Sequence, residues 1–588
     1  MRSHKATIAA GAVFAVQHAL GAGPLQIPFS TDRLTNSDSV PATYGPDGPW
    51  QAALVQIGSS SASANGVFAP FWPSGSYLVQ VLDGVAPGNY TTKDSKSAVG
   101  TRTSLGQSDS WWSDAFMNST FEAKGFFDQV TLTGKTGDSS SKVNASVAAA
   151  TKWTVPAAQG ATYTPSVGIL GLGPDTRAGP GDKSGAHDSI LKQLQSRGSI
   201  PSQSFSMHLG SVAHSLPGSL LLGGYEDNRV IAPVATLRMQ AGLHTAFLVD
   251  VTLGVEVGGS PWSDNGSVPG SVYAGNDGAP RAVELVKQLG GAAGASLVTL
   301  NAADPYMYLP ASTCREAAKH LPVTWDERLQ LYLWNTGDPQ YGRIVKSPAY
   351  LGLVVSDKDA QNVTIKVPFA LLNLTLERPL VDAPTPYFPC KPYDGDTLGF
   401  WQLGRAFLQS AFVAVDFDAN ATYLAQAPGP NLFQSVTRPI NAGHGAASFL
   451  AKPPSEFARS WNGKWEVLML NGNSMGTGGS SGLSPGGIAG VVIAAVAVVA
   501  LIGFCIWRRK RGSRKVAPAL PPRGSAPMVS AGGPMHEYYT PNGGAGELDG
   551  RSAPVHEMDG SSSNGTHEAP ANPVYELPHT HTDNRPNH

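Results

Sequence analysis

The chain has 588 residues, too many for one compact core, and its 41 Lys+Arg against 43 Asp+Glu give no electrostatic reason to expect a nucleic-acid partner. Hydrophobic residues make up 41% and charged residues only 14%, while 67 glycines and 46 prolines favour strands and turns. That composition does not point to a helical bundle.

Residues 1–22 read as a secretory signal peptide, with Arg2 and Lys5, an apolar run from Ala6 to Val16, and small residues from Ala19 to Ala22. Beyond it, short runs rich in Val, Leu, Phe, Tyr and Thr alternate with Gly, Asn, Asp and Pro, the pattern of an all-β body. Tyr77 to Leu82, Phe127 to Leu132, Ser219 to Leu222, Asn362 to Val367 and Phe412 to Phe417 are expected strands. Asp188 to Ser196 and Ala311 to His320 are the clearest helices.

Asn89, Asn118, Asn144, Asn265, Asn362, Asn373 and Asn420 each open an Asn-x-Ser/Thr sequon, so glycosylation is expected at some of them. Of three cysteines, Cys505 falls in an apolar run, which leaves Cys314 and Cys390 as the extracellular pair and an expected disulfide. Residues 428–487 read as a stalk, with Trp461 and Trp465 as a short strand packed on the body. Ile488 to Trp507 is uncharged and 20 residues long. At ~1.5 Å per residue that spans about 30 Å, the thickness of a bilayer core. Arg508, Arg509, Lys510 and Arg511 follow, so the positive-inside rule leaves the C-terminus in the cytosol and the body outside. This predicts a single-pass type I protein of the plasma membrane or cell surface, with a vacuolar or secretory membrane as the other location. Residues 508–588 have the composition of a disordered tail. Within it Pro518, Leu520, Pro521 and Arg523 fit the proline–basic pattern that Src-homology 3 domains read, with a solvated linker as the plain alternative. The scattered His residues of the tail suggest no metal site.

Several segments, in order, resemble the pepsin-like aspartic protease family: "SVGILGLGPDT" (166–176), "ILKQLQSRGSIPSQSFSMHLG" (190–210), "GSLLLGGYEDNRV" (218–230), "YMYLPASTC" (306–314) and "FWQLGRAFLQSAFVAVDFDANATYLAQA" (400–427). The resemblance covers roughly Trp50 to Ala427. It implies a mainly β, bilobal fold with lobes at 23–235 and 236–427. Each lobe of the family brings an Asp-Thr/Ser-Gly loop to the cleft floor, where two carboxylates share one proton and activate water without metal or organic cofactor.

This chain departs from that pattern at both loops. The first slot reads Pro73-Ser74-Gly75-Ser76, with proline where the aspartate belongs. The second, counted back nine residues from Pro310, falls on Asn301, followed by Ala302, Ala303 and Asp304. Proline offers no side-chain acceptor, and the Asn301 amide does not ionise. Asp304 is the one candidate for a shifted carboxylate, while Asp83 and Asp109 read as surface or turn residues. The flap tyrosine slot falls near Phe116 or Met117. Two readings stand: a proteolytically inactive member that binds an extended peptide or glycan in its cleft or acts as a surface sensor, and an active aspartic endopeptidase in which the loop register is displaced or Asp304 is recruited.

Overall fold

Short β-branched and aromatic runs cannot bury one face alone, so they pair into sheets, and the computed structural model of the chain is mainly β. The structure describes residues 23–32, 43–59, 64–71, 79–82, 90, 92–105, 119–137, 139–156, 160, 162–173, 188–240, 243–263, 265–275, 280–393, 400–441 and 445–469. The expected signal peptide, span and tail lie outside these, as do Pro73, Ser74, Gly75, Asp83, Asn89, Asp109, Phe116, Met117, Asn118 and the Pro518–Arg523 motif. No helix among the described residues is long and apolar enough to cross a membrane. The chain divides into two compact units, Met1–Ser480 and Ser481–His588, and every described residue belongs to the first.

Within that unit, the strands Leu25–Ile27, Ser219–Leu222, Ser204–His208, Ala411–Asp416, Ala421–Gln426 and Ile231–Gln240 lie side by side as a base. Phe205, Leu220, Val413 and Leu424 seal it at 0% exposure. The same sheet continues into the second half, while the first half is an eight-stranded sheet of its own. The strand expected at Phe127–Leu132 is the middle of Thr120–Thr133, and those expected at 362 and 412 form as Asn362–Pro368 and Ala411–Asp416. The first expected helix begins at Ile190 because Ser189 caps it, its hydroxyl accepting from the Lys192 amide at 3.2 Å. The second runs Ala311–Ala318. A helix the sequence reading missed, Pro339–Lys346, carries an Asp338 cap and proline in its first turn.

Both halves contain the same small device. In the first, β1 (Ala64–Phe71) and β2 (Val79–Leu82) flank β3 (Gly168–Gly171), parallel to β1 and antiparallel to β2. In the second, β4 (Ser296–Leu300) and β5 (Met307–Pro310) flank β6 (Phe400–Leu403) with the same parallel and antiparallel pairing. In the second half the link 301–306 leaves the sheet between β4 and β5, while the first-half link, 72–78, lies outside the described residues.

Cys314, on the helix Ala311–Ala318, joins Cys390 with their Cα atoms 5.7 Å apart, the pairing the sequence suggested. The segment expected to begin a stalk instead packs on the body as far as residue 469. Thr437–Pro439 pairs with Gly224–Glu226, and Phe449, Phe457, Trp461 and Trp465 are buried. Trp461 and Trp465 follow a helix, Ser455–Ser460, rather than forming a strand, and their rings stack at 5.1 Å. The buried aromatic side chains of this segment, at 449, 457, 461 and 465, are too few and too unevenly spread along it for a periodicity to announce it.

Candidate functional site

The second link is the better defined of the two. At the end of β4 the Asn301 amide N–H donates to Leu403 O at 3.1 Å, which carries the strand pairing one residue further. The Asn301 side chain then organises the turn: its Oδ1 accepts from the Ala303 amide at 2.9 Å, and its Nδ2 donates to Asp304 Oδ2 at 3.1 Å and to Gln402 Oε1 at 3.3 Å. Gln402 Nε2 donates to the same Asp304 oxygen. Asn301 and Asp304 are both fully buried. Gly404 lies so close beneath that a Cβ there would meet Asp304 O and Tyr306 O at 2.4 Å, so only glycine fits.

Asp304 is therefore a carboxyl without access to solvent, one oxygen held by two amides and the other, Oδ1, without a hydrogen-bond partner among the described residues. Burial raises its pKa to about 7, against the opposing pull of Arg405, Gln402 and Asn301. It keeps its proton through the acid range. The residue that faces it in this contact, Asn301, is an amide.

Arg405, directly after Gly404, ties the link down from below. Its Nη1 donates to Ala302 O at 3.2 Å and Ala303 O at 2.7 Å, and its Nη2 faces Asp47 Oδ1 at 3.5 Å. Its guanidinium lies over the Trp50 ring at 5.1 Å, and Trp50 Nε1 donates to Asp47 at 2.6 Å. Ala302, Ala303, Asp304 and Arg405 thus form the floor of a pocket whose other walls are aromatic and aliphatic: Tyr44 and Trp50 on one side, Trp153, Tyr163 and Ile169 on another. Burial also raises the Tyr163 phenol pKa, and Asp47 adds to that shift.

The structure brings Asn301, Ala302, Ala303 and Asp304 together at one cleft floor. Sequence reading missed Gln402, Arg405 and Asp47. A charged Arg405 inside the otherwise apolar "FWQLGRAFL" was the available signal; Asp47 offered none, since its partner lies far along the chain. Of the sequons, Asn144, Asn265, Asn362 and Asn420 are exposed, whereas Asn373 is half-buried and its Oδ1 accepts from the Tyr341 hydroxyl at 3.2 Å.

A mainly β body in which the same strand device, one parallel and one antiparallel partner, occurs twice around a central pocket is consistent with a fold of the acid-protease type. Residues 119–427, just over half of the chain, match the model of the eukaryotic aspartyl protease family. The chain belongs to that family. The match takes in the second link and leaves the first outside it. No curated protein matches the chain.

Proposed function

We propose that this protein is a membrane-anchored, proteolytically inactive aspartyl-protease-family ectodomain whose cleft binds rather than cuts. What carries this reading is the distribution of acids at the two links. Ile169-Leu170-Gly171 and Gln402-Leu403-Gly404 are equivalent, so their strand partners can be compared. Gln80 pairs with Ile169 and Tyr308 with Gln402; seven residues earlier stand Pro73 and Asn301. Counted from the incoming strands, where Pro70 pairs with Leu170 and Leu300 with Leu403, the counterpart of Asn301 is Phe71. Neither carries a carboxylate, and no residue from 64 to 82 is Asp or Glu. A proton cannot be shared between two acids when one link supplies none.

General acid–base assistance is worth about 10²–10⁴-fold, so losing one partner of the pair, and the water it would orient, removes most of the rate. The rival reading, an active aspartic endopeptidase, draws on Asp304 alone. That carboxyl is buried, bound by two amides and mostly protonated below neutral pH, which suits a structural acid better than a base. The remaining assignments follow the sequence: a type I single-pass anchor at 488–507, an extended peptide or glycan in the cleft, and a Src-homology 3 partner on the tail.

The test is cleavage of a denatured protein substrate by the purified full chain from pH 2.5 to 7, with and without pepstatin, beside the Asp304→Asn variant. No pepstatin-sensitive cleavage is expected from either protein. Cleavage by the wild type that vanishes in Asp304→Asn would establish the enzyme instead.

A further inference from the structure

Where the two halves face each other across the cleft, one direct contact is a patch of apolar side chains: Ala303 in a cluster with Ala148, Ala150, Trp153 and Ile169. Such a contact is non-directional and resists sliding weakly. One element adds direction. The turn Tyr44–Trp50, ahead of the first-half strand Ala53–Ile57, reaches over to the second half. We infer that this turn is a fixed pin that sets the separation of the halves and hence the width of the pocket between them.

The pin is rigid in itself. Tyr44 and Trp50 exchange both backbone hydrogen bonds, at 2.8 and 2.9 Å. Gly45 and Gly48 have positive φ, +93° and +151°, and a Cβ on either would meet the Trp50 ring at 2.7 or 2.9 Å. The indole therefore lies flat against a turn that only glycine can make. Its tip is anchored in the opposite half at three points. Pro46 O accepts from the Glu377 amide at 2.7 Å, Asp47 O accepts from the Tyr387 hydroxyl at 2.5 Å, and the Asp47 carboxylate faces Arg405 at 3.5 Å. Asp47 is only 2% exposed, so freeing it would strand a buried charge on each side of the seam.

Because Tyr44, Pro46, Asp47 and Trp50 also form one wall of the pocket, the same contacts that hold the halves hold the wall. The turn lies outside residues 119–427, so it belongs to the part of the chain that the family model does not match. The inference stands whether the cleft binds or cuts.

The measurement is the distance between spin labels on the full chain, at Lys124→Cys in the first half and Asp359→Cys in the second, in a Cys505→Ser background. With the pin intact a single narrow distribution is expected. Asp47→Ala should broaden it at least twofold or add a second, longer distance, while the far-ultraviolet circular dichroism stays unchanged. Tyr387→Phe removes one hydroxyl and should broaden it less; it carries the test if Asp47→Ala does not fold. A distribution as narrow in the folded variants as in the parent overturns the inference.

Discussion

Where β1 hands over to β2 the chain offers phenylalanine, tryptophan and proline; where β4 hands over to β5 it offers an amide and a buried acid. The strands around the two links pair alike, yet from Pro70 to Gln80 the chain advances ten residues and from Leu300 to Tyr308 only eight. The strand device tolerates both, since its stability comes from the flanking ladders and the glycine beneath. Chemistry in this family needs matched links, whereas the fold needs only matched strands. A half whose incoming and outgoing strands carry no acid keeps the same strand pairing.

The second half is also the one with the covalent staple, and that gives the largest expected effect. Cys314 and Cys390 are 76 residues apart, a loop whose closure is worth roughly 4 kcal/mol. Reduction, or Cys314→Ser with Cys390→Ser, should lower stability by about that amount. Hydrogen exchange should locate the loss in segments 307–318 and 385–393 and leave 140–156 untouched. Equal loss in both halves would erase the difference between them.

Restoring an acid sharpens the comparison next. In Asn301→Asp, a second carboxyl would stand where the amide Nδ2 now donates to Asp304 at 3.1 Å. Two like charges at that contact cannot both ionise cheaply, and a donor is lost besides. A destabilisation of about 2–4 kcal/mol at pH 7, mostly recovered near pH 4, is expected from thermal melts. A variant as stable as the parent at pH 7 would mean that Asp304 is not held as described.

Two buried titrating groups give the smallest effect and oppose each other. The folded Asp304 binds its proton up to about 7, against 3.8 when unfolded, so its contribution to stability falls as pH rises between those values. His208, at the base, has its pKa lowered by burial, with Arg229 adding to this, to about 3 from 6.5. Its contribution is full above 6.5 and is lost as pH falls toward 3. Over the shared window the slopes cancel in part. Asp304→Asn should leave a protein that loses stability toward acid, and His208→Gln one that gains it.

Much of the fold was legible because it rests on local pattern. The runs at 127, 219, 362 and 412 fell within or nearly on the observed strands, and counting back from Pro310 placed Asn301 at the end of β4. What was hidden depends on partners remote in sequence. Gln402 meets Asp304 from 98 residues away. Asp47 meets Arg405 although the two lie far apart in sequence. The segment from 428 to 469 looked like a linker because its few buried aromatic residues, among them the stacked pair Trp461 and Trp465, are sparse and irregularly spaced. Nothing periodic marks such a fit.

The proposed lack of a facing acid pair is tested most directly by an experimental structure of the cleft floor at acid pH, resolving residues 71–79 together with 300–307. The account predicts that Asp304 is the only carboxyl on the two links, with Asn301 and Gln402 as its neighbours and Asp47 held apart on Arg405. A second carboxylate within hydrogen-bonding reach of Asp304, whether from Asp83, Asp109 or elsewhere, would contradict it.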